Sequence, residues 1–336
     1  MPTFPAVAYP VDRKQRLLAA KKADTAGGTV SDDLGSSAGY AHARYAQAFS
    51  LVGSPRQLAG CKGWVIERTI PNCHARDAMG CYPLFCCRHW TKLAEDLTAL
   101  RGQYVSIVLV TDPFGPLGQS QLREIFDHVL AFKEHFVARL ADPLESIVSR
   151  KRYQAARKAL ERLTIEVIDP PSRALGDWMP LYSGSVRRHK IQRLKVLSQG
   201  ALAQMLDVPG AVVLRASMDE ETVGMHIEYV QDEYVYGHLA AYSPLGRRLN
   251  AAAALHLWEI EYFRHTASFI DWGGVPYAEP RHDNGLGVFK RGFSNDRRMV
   301  YLCGKILDPE RYRKLCEENA AGSSPYFPGY RHGEFR

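Results

Sequence analysis

The apolar positions of this chain alternate between two periods, one of strands and one of helices. Residues 104–110 are rich in Val, Ile and Leu and end in Thr111-Asp112-Pro113-Phe114-Gly115-Pro116, which predicts a buried strand stopped by turn residues. Residues 63–68 form a shorter strand candidate. Leu93, Leu97 and Leu100 share a face and predict a helix over 90–100. Leu122, Ile125, Phe126, Val129, Leu130 and Phe132 recur at helical spacing and predict a second helix over 122–136. The second half is clearer. Helices are expected over 177–188 and, behind a Ser198 N-cap, over 198–206. Three strands follow at 211–217, 222–229 and 234–242, the first two joined by the polar turn Met218-Asp219-Glu220-Glu221. A helix over 248–263 presents Ala254, Leu255, Trp258 and Tyr262 along one side, and strands are expected at 268–272 and 299–306.

The length of 336 residues and an apolar content of 46% allow one large core or two ordinary ones. Four regions are expected: a flexible arm over 1–40 with an isolated helix around 13–23, an α/β domain over 41–147, a second over 148–310, and a tail over 311–336. No stretch reaches the ~18 consecutive apolar residues of a membrane span. Residues 1–10 lack the basic and apolar blocks of a secretory leader, so a cytoplasmic location is expected.

Charge narrows the class of partner. The net charge is +7. Arg150, Lys151, Arg152, Arg157, Lys158 and Arg162 crowd one predicted helix with a single acid, Glu161. A solvated face is the commoner reason for such a charge run, but the near absence of acids for i,i+4 pairs keeps phosphate contact as the alternative reading. Arg187, Arg188, His189, Lys190, Arg193 and Lys195 make a second basic patch. Both point to a polyanion: RNA, a nucleotide-linked substrate or coenzyme A.

The chain has seven cysteines, an odd number, which suits reduced thiols. Cys73, His74, Cys81, Cys86, Cys87 and His89 lie close in sequence, but no Cys-x-x-Cys pair orients them on one ion, and buried core thiols are expected rather than a metal site.

The densest chemistry lies near the C-terminus. A strand ending in Asp271-Trp272-Gly273-Gly274 precedes a predicted loop, Phe289-Lys290-Arg291-Gly292-Phe293, in which one lysine stands among aromatic residues. Such a lysine can be partly desolvated and aimed at a developing negative charge. Asp271 is a candidate to orient an acceptor amine or, equally, to cap its turn. His226 and Glu228 alternate onto one face of a predicted strand and are candidates to accept an amine proton.

The Phe-Lys-x-Gly-Phe run resembles the signature of the Fem-type (FemAB-like) aminoacyltransferases, part of the wider GNAT-like acyltransferase group. The resemblance covers roughly residues 138–307, including the basic helix, Leu255-His256-Leu257-Trp258-Glu259-Ile260 and Asp271-Trp272-Gly273-Gly274. It implies an α/β fold of tandem GNAT-like domains with mixed, mostly antiparallel sheets flanked by helices. It implies Lys290 as the catalytic cation; Phe289 and Phe293 are expected to fix its position, and Asp271, Trp272, Gly273, His226 and Glu228 are expected around the substrate. It implies transfer of an aminoacyl group from aminoacyl-tRNA to an amine of a peptide or small molecule, with no cofactor or metal required. GNAT-like folds hold a donor pyrophosphate on an Arg/Gln-x-x-Gly-x-Gly/Ala turn. Arg247, Arg248, Asn250 and Ala252 stand at that place, with Asn250 in a glycine position. The helical hairpin arm of many Fem-type members has no counterpart in the heptad pattern. Contacts to tRNA are then expected from Arg150, Lys151, Arg152, Arg157, Lys158, Arg187, Arg188 and Lys190. Two other readings fit the same residues: an acyl-CoA-dependent N-acetyltransferase, and a non-catalytic RNA- or polyanion-binding protein.

Overall fold

The computed structural model describes residues 37–190, 196–275, 285–319 and 326–334. The expected helix at 13–23, the residues Arg193 and Lys195 and most of the N-terminal arm lie outside the described residues.

Eleven strands form one sheet among the described residues: β1 (Ser54–Gln57), β2 (Trp64–Thr69), β3 (Arg76–Gly80), β4 (Ser106–Val110), β5 (His128–Arg139), β6 (Thr164–Ile168), β7 (Ala211–Met218), β8 (Glu221–Gln231), β9 (Tyr234–Tyr242), β10 (Phe269–Asp271) and β11 (Asp296–Ile306). Their order is β1-β2-β3-β4-β11-β5-β10-β9-β8-β7-β6. Only β3–β4 and β9–β10 run parallel among these neighbours. The fold is therefore α/β with a mixed, mostly antiparallel sheet and helices against it. The late strand β11 lies between β4 and β5, strands from before residue 147. β10 joins the early strands to the late ones, antiparallel to β5 and parallel to β9.

The β7–β8–β9 meander appears where alternation predicts it. Its first turn places Asp219 and Glu220 at φ 48° and 67°, the pair of left-handed residues that a two-residue hairpin demands. The predicted helix over 122–136 is corrected. A helix spans Gln119–Ile125, and the chain then enters β5. Residues 128–139 pair along most of their length with β11, so a strand made after residue 295 overrides their local helical spacing. The predicted lysine loop is also corrected: Lys290 lies in the last turn of a short helix, Gly285–Arg291.

The long helix Ala251–Phe263 is buried on nearly every side. It packs on the basic helix Arg150–Leu160, whose inner stripe is Tyr153, Ala156 and Ala159. The exposed side of that helix keeps Arg150, Lys151 and Lys158, with Arg152 and Arg157 half-buried.

Candidate active site

Strands β9 and β10 pair only at Tyr234–Phe269, Val235–Ile270 and Tyr236–Asp271. Beyond Asp271 the chain turns to β5, where the Trp272 N–H donates to the Phe136 carbonyl at 2.9 Å. β9 continues alone on that side to Tyr242. The two strands thus splay, and β9 has backbone groups there that no strand among the described residues covers. Gly237 stands at the fork, where an added Cβ would sit 3.2 Å from the Asp271 carbonyl. Its neighbour His238 is the extra residue of a bulge, since β8 passes from Leu239 opposite Ile227 to Gly237 opposite Glu228.

Four ionisable side chains converge at this fork. His226 and Glu228 share a face of β8, as their alternation predicts, with Nδ1 and Oε1 3.7 Å apart. His256 and Glu259 come from the long helix. The His226 Nδ1 donates to Glu259 Oε1 at 2.6 Å, and the Tyr242 hydroxyl donates to Nε2 of the same ring. Burial holds His226 and His256 near neutrality, each lowered to about 3. Burial pushes Glu259 up to about 8. Glu228 is raised well above its ordinary value by burial and by the charges of Glu259 and Asp271, against the pull of Lys290.

Lys290 approaches from the Gly285–Arg291 helix. Its Nζ donates to the Gly274 carbonyl at 2.7 Å. Burial lowers its pKa to about 8, opposed by the Asp271 carboxylate and reinforced by Lys133. Gly273 has φ +72°, a left-handed conformation natural to glycine, and an added Cβ would lie 3.6 Å from that amine. The Phe289 and Phe293 rings pack on His256 at 5.0 and 5.2 Å. The cation over Phe289 is Arg152, at 4.7 Å. Trp272 lies 4.4 Å from the His256 ring and donates its indole N–H to the Phe293 carbonyl at 2.7 Å. Asp271 is fully engaged: Oδ2 accepts from His135 Nδ1 at 2.8 Å and Oδ1 from the Gly273 N–H at 2.8 Å. Those bonds make it the capping residue of its turn.

Asn250 adopts φ 57° at the start of the long helix, and its side chain leaves the first-turn N–H groups uncapped. Arg247 and Arg248 flank that end, exposed. Burial, Arg188 and Arg248 together lower the Arg247 pKa, so these three guanidinium groups repel one another. The structure thus brings Arg188 of the second basic patch to Arg247 and Arg248; Arg187 and Lys190 are exposed on the same Leu175–His189 helix or its cap.

Sequence reasoning missed Glu259 and His256 as site residues. Their signal was available: both are ionisable side chains in a helix that, Glu261 apart, is otherwise built of Ala, Leu, Ile and aromatic residues. Among the described residues, a group at metal-ligand spacing is His226, His256 and Glu259, not the cysteine-rich stretch. The thiols of Cys61, Cys81, Cys86 and Cys303 are buried and unbridged.

No protein-family model matches this chain, and no curated protein matches it by sequence. Solved structures do match by shape. FemX superposes with a TM-score of 0.62 at 12% identity, over 81% of this chain and 93% of its own. The chain has a FemX-like fold. L-PGS from Bacillus licheniformis gives 0.55 at 14% identity, over 77% of this chain and 87% of its own. The C-terminal domain of a candidate lysylphosphatidylglycerol synthetase from Agrobacterium fabrum gives 0.58 at 13% identity, over 78% and 87%. At these identities the likeness is one of fold. No helix among the described residues is long and apolar enough to cross a membrane.

Proposed function

We propose that this FemX-like chain is an N-acyltransferase that moves an aminoacyl group from aminoacyl-tRNA to an amine. The observation that carries the reading is Lys290, a largely buried ammonium fixed on the Gly274 carbonyl beside the fork of β9 and β10. Amide formation needs three things: a held carbonyl, charge stabilisation for the oxyanion, and a place for the amine proton. Unpaired backbone of β9 supplies the first. The Lys290 ammonium supplies the second, at a distance set by the Gly273 turn. The buried Glu228–Glu259 pair supplies the third once it has lost a proton, since burial raises both carboxyls.

The donor's phosphates fit the uncapped start of the long helix, between Arg247 and Arg248. The exposed Arg150, Lys151 and Lys158 extend a positive surface from the same helix pair. Attack on the ester is direct, and no covalent enzyme intermediate is invoked.

The test is product analysis by mass spectrometry. The protein is incubated with a charged tRNA pool and a panel of amines, and separately with an acyl-CoA panel. New amide only with charged tRNA supports the proposal. Amide only with acyl-CoA replaces the donor, and no amide with either leaves a polyanion-binding protein.

A further inference from the structure

A cleft of about 440 Å³ opens at the β1–β2 end of the sheet, away from the fork of β9 and β10. Residues 50–54 form one wall, Glu67, Arg68 and Thr69 of β2 the floor, and Arg331 and Glu334 the other wall. Gly53 fixes this shape: an added Cβ would stand 2.1 Å from the Glu67 carbonyl, so the loop can lie against β2 only with glycine there. Arg68 and Arg331 are buried, at 5% and 6% exposure. Arg331 is saturated. Its Nε and Nη2 donate to Asp77 at 2.5 and 2.9 Å, and its Nη1 donates to Glu334 at 2.9 Å. Arg68 is not. Its Nη1 donates to both oxygens of Glu334, at 3.1 and 3.0 Å. Its Nε has no hydrogen-bond acceptor. The nearest carboxylate oxygen, Asp77 Oδ1, lies at 3.4 Å in a group that already accepts from Arg331 and Tyr330. Its Nη2 has no acceptor among the described residues. A buried guanidinium with so few acceptors calls for an explanation.

The charges around the cleft point the same way. Glu67 is shared by Arg56 and Arg76, while Asp77 and Glu334 are shared by Arg68 and Arg331. Among the described residues, four cations thus meet three anions, and one further negative charge balances them. We propose that this cleft binds a monocarboxylate. One carboxylate oxygen accepts from Arg68 Nη2 and the other from the Ser54 hydroxyl, with the carbon end toward Leu51 and Val52 at the rim.

A carboxylate carries one charge on a flat pair of acceptors, which suits a guanidinium edge and the single excess cation. A phosphate dianion brings more negative charge than the arginines leave unmatched, beside Glu67 and Glu334. A neutral amide brings none. The site is separate from the candidate active site, because β3, β4, β11 and β5 lie between β2 and β10. The inference therefore stands or falls apart from the transferase reading. A bound acid shares Arg68 with Glu334, so occupancy ties the segment carrying Arg331 and Glu334 more firmly to β2.

The test is thermal melting of the full chain, titrated with propionate, propionamide, phosphate and chloride at matched ionic strength. The cleft predicts saturable stabilisation by propionate and none by propionamide or chloride. Arg68→Lys is expected to weaken propionate at least tenfold. Glu334→Gln removes the carboxylate that competes for Arg68 and is expected to tighten propionate at least threefold, a gain that loss of a merely structural contact would not produce. Side-chain arginine NMR locates the effect: the Arg68 Nε–H signal should move with propionate and stay in place with propionamide. Equal stabilisation by propionamide or by chloride overturns the proposal. So does phosphate that binds more tightly than propionate, a Glu334→Gln chain that binds propionate no more tightly, or an Arg68 signal that propionate leaves unmoved. The wild-type titrations and the NMR signal decide the question even if a variant fails to fold.

Discussion

The guanidinium of Arg152 lies 4.7 Å over the ring of Phe289, and this pairing joins the basic helix to the short helix that carries Lys290. The Ser149 N–H donates to the Gly292 carbonyl at 3.0 Å and closes the same junction. The positive surface and the candidate catalytic cation are therefore one mechanical unit. Arg152→Ala should destabilise the fold by about 1 kcal/mol, because the cation–π attraction disappears. It should also reduce turnover more than binding of tRNA. Arg152→Lys should restore part of both. Turnover unchanged in the alanine variant would separate the two helices functionally.

Lys290→Met keeps much of the stem and deletes the charge. Turnover is expected to fall ~100-fold or more, by analogy with removal of an oxyanion donor, while the melting temperature moves little. The pH profile gives a second reading. A lysine lowered to about 8 is protonated below that pH and neutral above it. If the ammonium acts, activity declines as pH rises through about 8. A rise across that range would recast Lys290 as a base.

Glu228 and Glu259 make stability depend on pH in a set direction. Glu259 is held at about 8 in the fold, against an ordinary 4.5. Between those values the native state binds more protons than the unfolded chain, so its stability falls as pH rises from about 4.5 to about 8. Glu228, shifted the same way, adds to the slope. Glu228→Gln should flatten it and raise the melting temperature at pH 8, because a buried carboxylate without a full set of partners is removed. Chemical denaturation at several pH values measures both effects.

Gly273→Ala probes the turn below Lys290. Space is available for the methyl group, so the cost is the left-handed backbone at φ +72°, about 1–2 kcal/mol. Relief of that strain would move the Gly274 carbonyl and release the Lys290 ammonium. A shift of the lysine pKa, read by NMR of labelled lysine side chains, should accompany the drop in stability.

Binding of tRNA should weaken linearly in the logarithm of salt. Replacing Lys151 and Lys158 by alanine should reduce the slope by about one for each phosphate that a lysine no longer neutralises. An unchanged slope would move the nucleic acid off this helix.

Local patterning carried the meander, which alternates and closes on a two-residue turn, and the basic and long helices, which are runs of good helix formers. It failed at residues 128–139, where a helical arrangement of Val129, Leu130 and Phe132 yields to pairing with β11. It placed the strand at 268–272 but not its role in joining β5 to β9, since both partners lie far away in sequence. At the site, alternation placed His226 beside Glu228, and the signature run marked Lys290. Glu259 was invisible as a partner because its bond to His226 spans 33 residues. Asp271 was ambiguous in sequence; its bonds to His135 and Gly273 show what its oxygens do.

The position of β11 has a consequence for biogenesis. Residues 296–306 fill the gap between β4 and β5, so the early part of the sheet stays open until residue 306 has left the ribosome. Until then two strand edges lie bare, each able to recruit a foreign chain. A truncated transcript ending before residue 296 would yield a sticky fragment rather than a smaller working unit, and a nascent-chain chaperone has a natural client here.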